Sequence, residues 1–120
     1  MGGGGGGGGF RGTKGSSIRI SDKKIYQDGK HFNKHGRDMG YKSIKAYDSA
    51  AKEFAEKHQN HPDAKVYEGK WNGTGSQHRE IQRIITYEGK TVIVNKDSGQ
   101  VIDFYRGEAY RGIIELERIR

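Results

Sequence analysis

Cysteine is missing from the 120-residue chain, while proline and tryptophan each occur once, as Pro62 and Trp71. Without cysteine there is no disulfide framework, no thiolate zinc site and no thiol nucleophile, and the redox compartment is left open. No apolar run approaches the eighteen or so residues of a membrane-crossing helix, and Met1–Phe10 lacks the apolar core of a signal peptide. The chain therefore reads as soluble and without a membrane anchor. Gly73-Thr-Gly75 lacks the lysine ending of a phosphate-binding loop, and the tract Gly2–Gly9 follows no strand. Serine nucleophile elbows and paired glycosidase carboxylates have no candidates either. Leucine occurs once against twelve isoleucines, a bias toward strands. Ile, Leu, Val and Phe make up only about 17%, a level that flags disorder in average composition. The deficit is concentrated in the glycine-rich start, and the remainder, with seven tyrosines, can bury one small core. The expectation is one compact domain rather than a multidomain enzyme.

The net charge of +7 is unevenly placed. Arg11 to Lys45 carries ten Lys or Arg against three Asp, and the rest of the chain is balanced. A localised basic field suits a phosphate backbone or an acidic protein partner, although a solubility-tuned surface has the same composition.

Residues 1–17, rich in Gly with Ser and Thr, read as a flexible linker before a single domain at 18–120. Lys30–Gly36 makes about two turns if helical, with Gly36 as its C-cap. Ser43 is an N-cap for a helix of about fifteen residues, because Ile44, Tyr47, Ala50, Ala51, Phe54 and Ala55 follow helical spacing. After Pro62 the pattern turns to strands, at Lys65–Trp71, Glu80–Tyr87, Lys90–Asn95, Gln100–Tyr105 and Tyr110–Ile119. Short turn signals at Glu88–Gly89, Asp97–Gly99 and Gly107–Glu108 separate the last four. The predicted class is α+β, with N-terminal helical segments packed on an antiparallel β-meander of four to five strands.

His31 and His35 are four apart and share a face on a helix, with Lys34 beside them and Lys30, Arg37 and Lys42 nearby. Two imidazoles and an ammonium are what metal-independent RNA cleavage requires. The 2′-hydroxyl must lose a proton, the leaving 5′-oxygen must gain one, and the crowded phosphate needs positive charge. A solvated basic helix fits the same pattern. So does a metal site, which needs a third ligand such as His58, His61 or Asp63. If Ile102 and Phe104 face the helix, Asp103 and Tyr105 lie on the open sheet face, where Asp103 can orient a His or Lys and Tyr105 can stack on a base. An ordinary half-exposed strand is the alternative. Trp71 reads as a core plug. His78, Arg79 and Arg83 lay positive charge along a strand or an exposed edge.

The run His31-Phe-Asn-Lys-His-Gly-Arg-Asp-Met-Gly40 resembles the HxxKHxxxFG-type motif of colicin D-like ribonuclease domains. The likeness continues over Ser43–Lys57 to a Pro-Asp turn at Pro62–Asp63 that feeds a strand and Gly69. It extends through Asn95–Gln100, similar to a D-x-x-G hairpin, and covers roughly Lys30 to Arg106. Met39 stands where the family has an aromatic residue, and Asp103-Phe-Tyr105 where it has Ser-Gly-Trp. The resemblance implies a small bacterial toxin ribonuclease of the BECR fold, the tip of a bacteriocin, contact-dependent inhibition protein or other polymorphic toxin. The colicin D-like members of that fold cleave the tRNA anticodon loop without metal and are neutralised by a small immunity protein. In this sequence His35 matches the catalytic histidine, Lys34 the basic residue before it, and His31 the position one turn earlier.

The expectation is therefore a metal-independent endoribonuclease toxin, monomeric and without cofactor. It would leave a 2′,3′-cyclic phosphate and a 5′-hydroxyl. His35, Lys34, His31, Tyr105 and Asp103 are its catalytic candidates, and Lys30, Arg37, Lys42, Arg79 and Arg83 would hold tRNA or other RNA. An acidic immunity protein is the expected partner, and delivery from a bacterium into a target-cell cytoplasm the expected setting. The alternatives are a basic nucleic-acid-binding module without chemistry and a metal-dependent DNA nuclease.

Overall fold

The computed structural model describes residues 16–73, 79–108, 110 and 112–119. The expected linker up to residue 15, and His78, lie outside the described residues. The last two positions of that linker are instead bonded to the domain. Asn60 Nδ2 donates to Ser17 Oγ at 2.9 Å, and Arg83 Nη1 donates to the Ser16 carbonyl. The cause is the next residue, Ile18, which is buried and held by both ends of the Gln59 amide.

Helix α1, Asp28–His31, runs directly into a π-helical turn, Phe32–Gly36. Helix α2 spans Ile44–His58, and the Ser43 hydroxyl caps it by accepting from Ala46 N–H at 3.1 Å. Its buried face is Tyr47, Ala51 and Ala55. The small alanines let α2 lie close to the sheet, and Tyr47 reaches across to it. No helix among the described residues is long and apolar enough to cross a membrane.

The strands are β1 Lys65–Trp71, β2 Ile81–Tyr87, β3 Lys90–Asn95, β4 Val101–Arg106 and β5 Ile113–Arg118. They form one antiparallel sheet in the order β4-β3-β2-β1-β5. The fold is α+β, with the helices preceding the sheet. β1 to β4 are the expected meander. The β2–β3 turn places Glu88 and Gly89 at φ 48 and 78, the left-handed pair that a two-residue hairpin requires.

β5 departs from the simple pattern. Gly107–Glu108 does not fold the chain back beside β4; β5 pairs with β1 at the opposite edge. Of the residues between β4 and β5, Gly107 and Tyr110 lie against the sheet face away from α2. Gly107 accepts a hydrogen bond from Thr91 on β3, and Tyr110 reaches Thr86 on β2 and lies tilted against Tyr67 on β1. It roofs a second apolar cluster of Ile84, Ile93, Tyr105 and Ile113, against which Trp71 packs as a plug. The larger cluster lies between α2 and the sheet and includes Ile25, Phe32, Tyr47, Val66, Ile85, Val92, Val101 and Phe104.

Candidate active site

β4 is an edge strand, and the segment α1–π-turn lies along it. Tyr26 N–H donates to the Val101 carbonyl at 2.9 Å, and Arg106 Nη2 donates to the Asp38 carbonyl at 3.2 Å, so both ends of the segment are tied to the strand. The π-turn is set by Arg37 N–H bonding back five residues to the Phe32 carbonyl. Gly36 is not the glycine that ends this segment. A Cβ there would sit 2.5 Å from Phe32 Cδ1 and 3.0 Å from Tyr47 Cδ1, so its role is close packing against α2. The segment continues to Gly40, whose φ of +90° closes it.

This geometry makes the segment straddle the sheet edge. Phe32 is buried against Tyr47 on the helix side, while His31 and His35 turn toward β4. Their rings stack at 6.1 Å with 12° between planes.

A β-bulge supplies the rest. β3 and β4 lose register between Ile93 and Val94, so Ile102 is an extra residue. Val101 thereby joins Phe104 in the helix-side core, and Ile102 packs on the other face. That overturns the expected pairing of Ile102 with Phe104, because two residues facing one break the period of two. Asp103 and Tyr105 still come to the imidazoles, but their face is not the expected open one: Tyr105 is buried in the second apolar cluster, beneath Tyr110. Asp103 Oδ1 lies 3.1 Å from His31 Nδ1, and Oδ2 lies 3.7 Å from His35 Nε2. The His35 ring is 5.4 Å from that of Tyr105. Asp103 Oδ1 also accepts from Phe104 N–H at 2.8 Å.

The sequence reading missed Tyr47 as a support of this site. Its hydroxyl donates to the Phe104 carbonyl at 2.5 Å and pins the strand next to Asp103. A tyrosine on the buried face of an amphipathic helix is the available signal, since its hydroxyl must find an acceptor. Burial and the nearby Asp103 push that hydroxyl's pKa well up, so it stays a donor.

The side chains of His31, His35 and Asp103 are 15%, 22% and 18% exposed, so the three groups are largely desolvated yet still open to solvent. Burial, reinforced by His35, Lys30 and Lys34, pushes His31 down to about 4. Burial and Lys34 also lower His35, against a smaller opposing effect of Asp38. Burial pushes Asp103 up to about 6, although the Phe104 N–H and the two lysines oppose it. Near pH 7 the site therefore holds a carboxylate and two neutral imidazoles. Tyr105 is raised by burial and by Asp103 and remains a phenol.

These shifts have opposite effects on stability. Between about pH 4 and 6 the folded protein holds a proton on Asp103 that the unfolded chain releases, so this group loses stability as pH rises. Over nearly the same window the unfolded chain protonates His31 while the folded protein does not, so this group gains stability as pH rises. The two largely cancel. Asp103→Asn removes one side of the balance, and its denaturation midpoint should fall relative to wild type as pH drops from 6 to 4. His31→Gln should show the opposite relative trend. Parallel pH profiles for all three proteins would contradict this assignment.

The other expected positions divide. Lys30, Lys34, Arg37 and Lys42 are exposed on or just after the histidine segment, and Arg37 lies 5.0 Å over the Phe32 ring. Arg79 is exposed, but it caps the β1–β2 hairpin, where its N–H donates to Trp71, and β3 separates that hairpin from β4. Arg83 is a correction. It is fully buried on the helix side of β2, with Nη2 2.5 Å from Glu68 Oε2. The alternation Ile81, Arg83, Ile85 carries it inward, where it cannot touch RNA.

Among the described residues, His31, His35 and Asp103 are the group whose donor atoms come within 4.8 Å of one another as metal ligands can. The third donor beside the two histidines is thus Asp103, not the expected His58, His61 or Asp63. His58 and His61 pack instead on Tyr87, at 4.3 and 4.6 Å between rings. No protein-family model, curated protein or solved structure matches the chain.

Proposed function

We propose that the domain is a metal-independent endoribonuclease that cleaves RNA, with tRNA the favoured substrate, by transesterification. The observation that carries this reading is the pair of stacked imidazoles over Asp103, flanked by Lys30 and Lys34. One neutral imidazole takes the proton of the 2′-hydroxyl as its oxygen attacks the adjacent phosphorus. The bond to the 5′-oxygen breaks, and the other imidazole, protonated, delivers a proton to that oxygen. The products are a 2′,3′-cyclic phosphate and a 5′-hydroxyl. In the free protein the lysines and burial suppress imidazolium. A bound phosphodiester brings negative charge that favours it again, and Asp103 beside His31 supports the charged ring. Lys34 stabilises the added charge on the phosphorane-like transition state. Tyr105, buried and tilted against His35, holds that ring in place rather than meeting a base.

The exposed cations Lys30, Lys34, Arg37, Lys42 and Lys45 supply a surface for the RNA backbone. The same surface suits an acidic inhibitor protein, as an immunity partner of a toxin delivered into a target cytoplasm would be. In the test, the purified domain is incubated with total bacterial tRNA in excess EDTA and resolved on a denaturing gel across a salt series. Discrete fragments are expected, with binding that weakens steeply as salt rises. Intact RNA at low salt would contradict the reading. Cleavage of DNA that appears only with added metal would favour the metallonuclease that the same three donors also permit.

A further inference from the structure

The acid–base cluster also has the dimensions of a transition-metal site. A tetrahedral ion bonded to nitrogen and oxygen at about 2.1 Å keeps its donors roughly 3.4 Å apart. Here the two closest approaches are 3.1 Å, His31 Nδ1 to Asp103 Oδ1, and 3.7 Å, His35 Nε2 to Asp103 Oδ2. One atom from each residue falls within 4.8 Å of the others, and rotation of the stacked rings about their side-chain bonds is what would turn all three donors onto one ion. His31 Nδ1 is buried and makes no hydrogen bond among the described residues, its approach to Asp103 being close but not aligned for one. Ligation there sacrifices nothing.

Two imidazoles and one carboxylate match zinc, nickel or copper rather than magnesium, which prefers oxygen ligands and its own water. The electrostatics set the strength. Lys30 and Lys34 place positive charge on the same cluster and oppose a dication. The result is a site that fills and empties, rather than one with a resident ion.

We propose that His31, His35 and Asp103 bind a zinc-class ion reversibly, and that the bound ion turns the ribonuclease off. The switch rests on the ribonuclease reading above; the binding itself does not. A ring nitrogen whose lone pair is donated to zinc cannot accept the 2′-hydroxyl proton. An ion held between the rings also ties Asp103 down and fills the place where the scissile phosphate must sit. No new bond to RNA is made, and chelation restores the free site.

Zinc titration by calorimetry on wild type, Asp103→Asn and His35→Gln is paired with cleavage assays at the same zinc concentrations, with far-UV circular dichroism confirming that each variant is folded. One zinc per chain is expected, with a micromolar Kd that each variant weakens at least tenfold. Cleavage should be full in EDTA, fall with the midpoint of zinc binding, return on chelation, and ignore millimolar Mg²⁺. Absence of zinc binding, or binding that neither variant alters, would overturn the site. Undiminished cleavage at saturating zinc would overturn the switch. Cleavage in EDTA without zinc binding removes this inference alone. A protein inert in EDTA and switched on by zinc removes both the inference and the metal-independent function.

Discussion

Replacement of His35 by alanine should lower tRNA cleavage by about 10²–10⁴-fold, the range for loss of a proton-transferring group. The loss should fall on kcat rather than KM. His35 is lowered by burial and Lys34, so it carries little charge near pH 7, and its removal takes little attraction away from the phosphate backbone. Stability should change only modestly, because the ring lies at the sheet edge, outside the main core, and its ring contacts are with His31 and Tyr105. The turn that holds it is built by the backbone of Phe32, Gly36 and Arg37 and by the packing of Phe32 on Tyr47, all of which remain. Kinetics of RNA cleavage beside a denaturation curve separate the two effects. A variant that cleaves within a few-fold of wild type would remove His35 from the chemistry. One that loses activity only by unfolding would assign the residue to structure.

The largest loss of stability is expected at Glu68, far from the chemistry. Its carboxylate is buried between two cations, with Arg83 Nη2 at 2.5 Å and Lys96 Nζ at 2.8 Å, and the Arg83 side chain is 0% exposed. Burial alone would raise the carboxyl's pKa, but the hydrogen bonds and charge of Lys96 and Arg83 outweigh it and hold the group ionised. Glu68→Ala leaves a guanidinium and an ammonium in the interior without their anion. Removal of one partner from a buried pair typically costs about 3–5 kcal/mol. Against a total of about 5–15 kcal/mol for a small domain, that is a large share. Urea denaturation of wild type and variant reads the difference directly. A loss under about 1 kcal/mol would mean that water already reaches Arg83. The same cluster holds the Ser16 carbonyl through Arg83, so the variant should also loosen the start of the domain.

Much of this architecture was legible in the residues because local signals were strong. Ser43 followed by apolar residues at helical spacing places α2, and the alternation at Lys65–Trp71 and the turn-bounded run Lys90–Asn95 place two strands with their observed bounds. The histidine spacing and the position of Asp103 and Tyr105 on β4 point to side chains that the fold brings together. What escaped the sequence depends on partners distant in the chain. Gly36 looks like a helix terminator until Tyr47 of α2 is packed against it. The bulge at Ile102 exists only against β3, so no periodicity within β4 records it. The placement of β5 at the far edge goes with the apolar face that Tyr110 covers, which no local signal records. Arg83 reads as a surface cation until Glu68 and Lys96 close around it.

The chemistry of the cut ends tests the central claim most directly. tRNA fragments produced by the wild-type domain in excess EDTA are labelled at their 5′ ends with a kinase and probed for a 2′,3′-cyclic phosphate by mass spectrometry. Transesterification by His31 and His35 predicts 5′-hydroxyl ends that accept label at once, and cyclic phosphate on the upstream fragments. Fragments ending in 5′-phosphate and 3′-hydroxyl would contradict it, as water rather than the 2′-oxygen would then be the nucleophile.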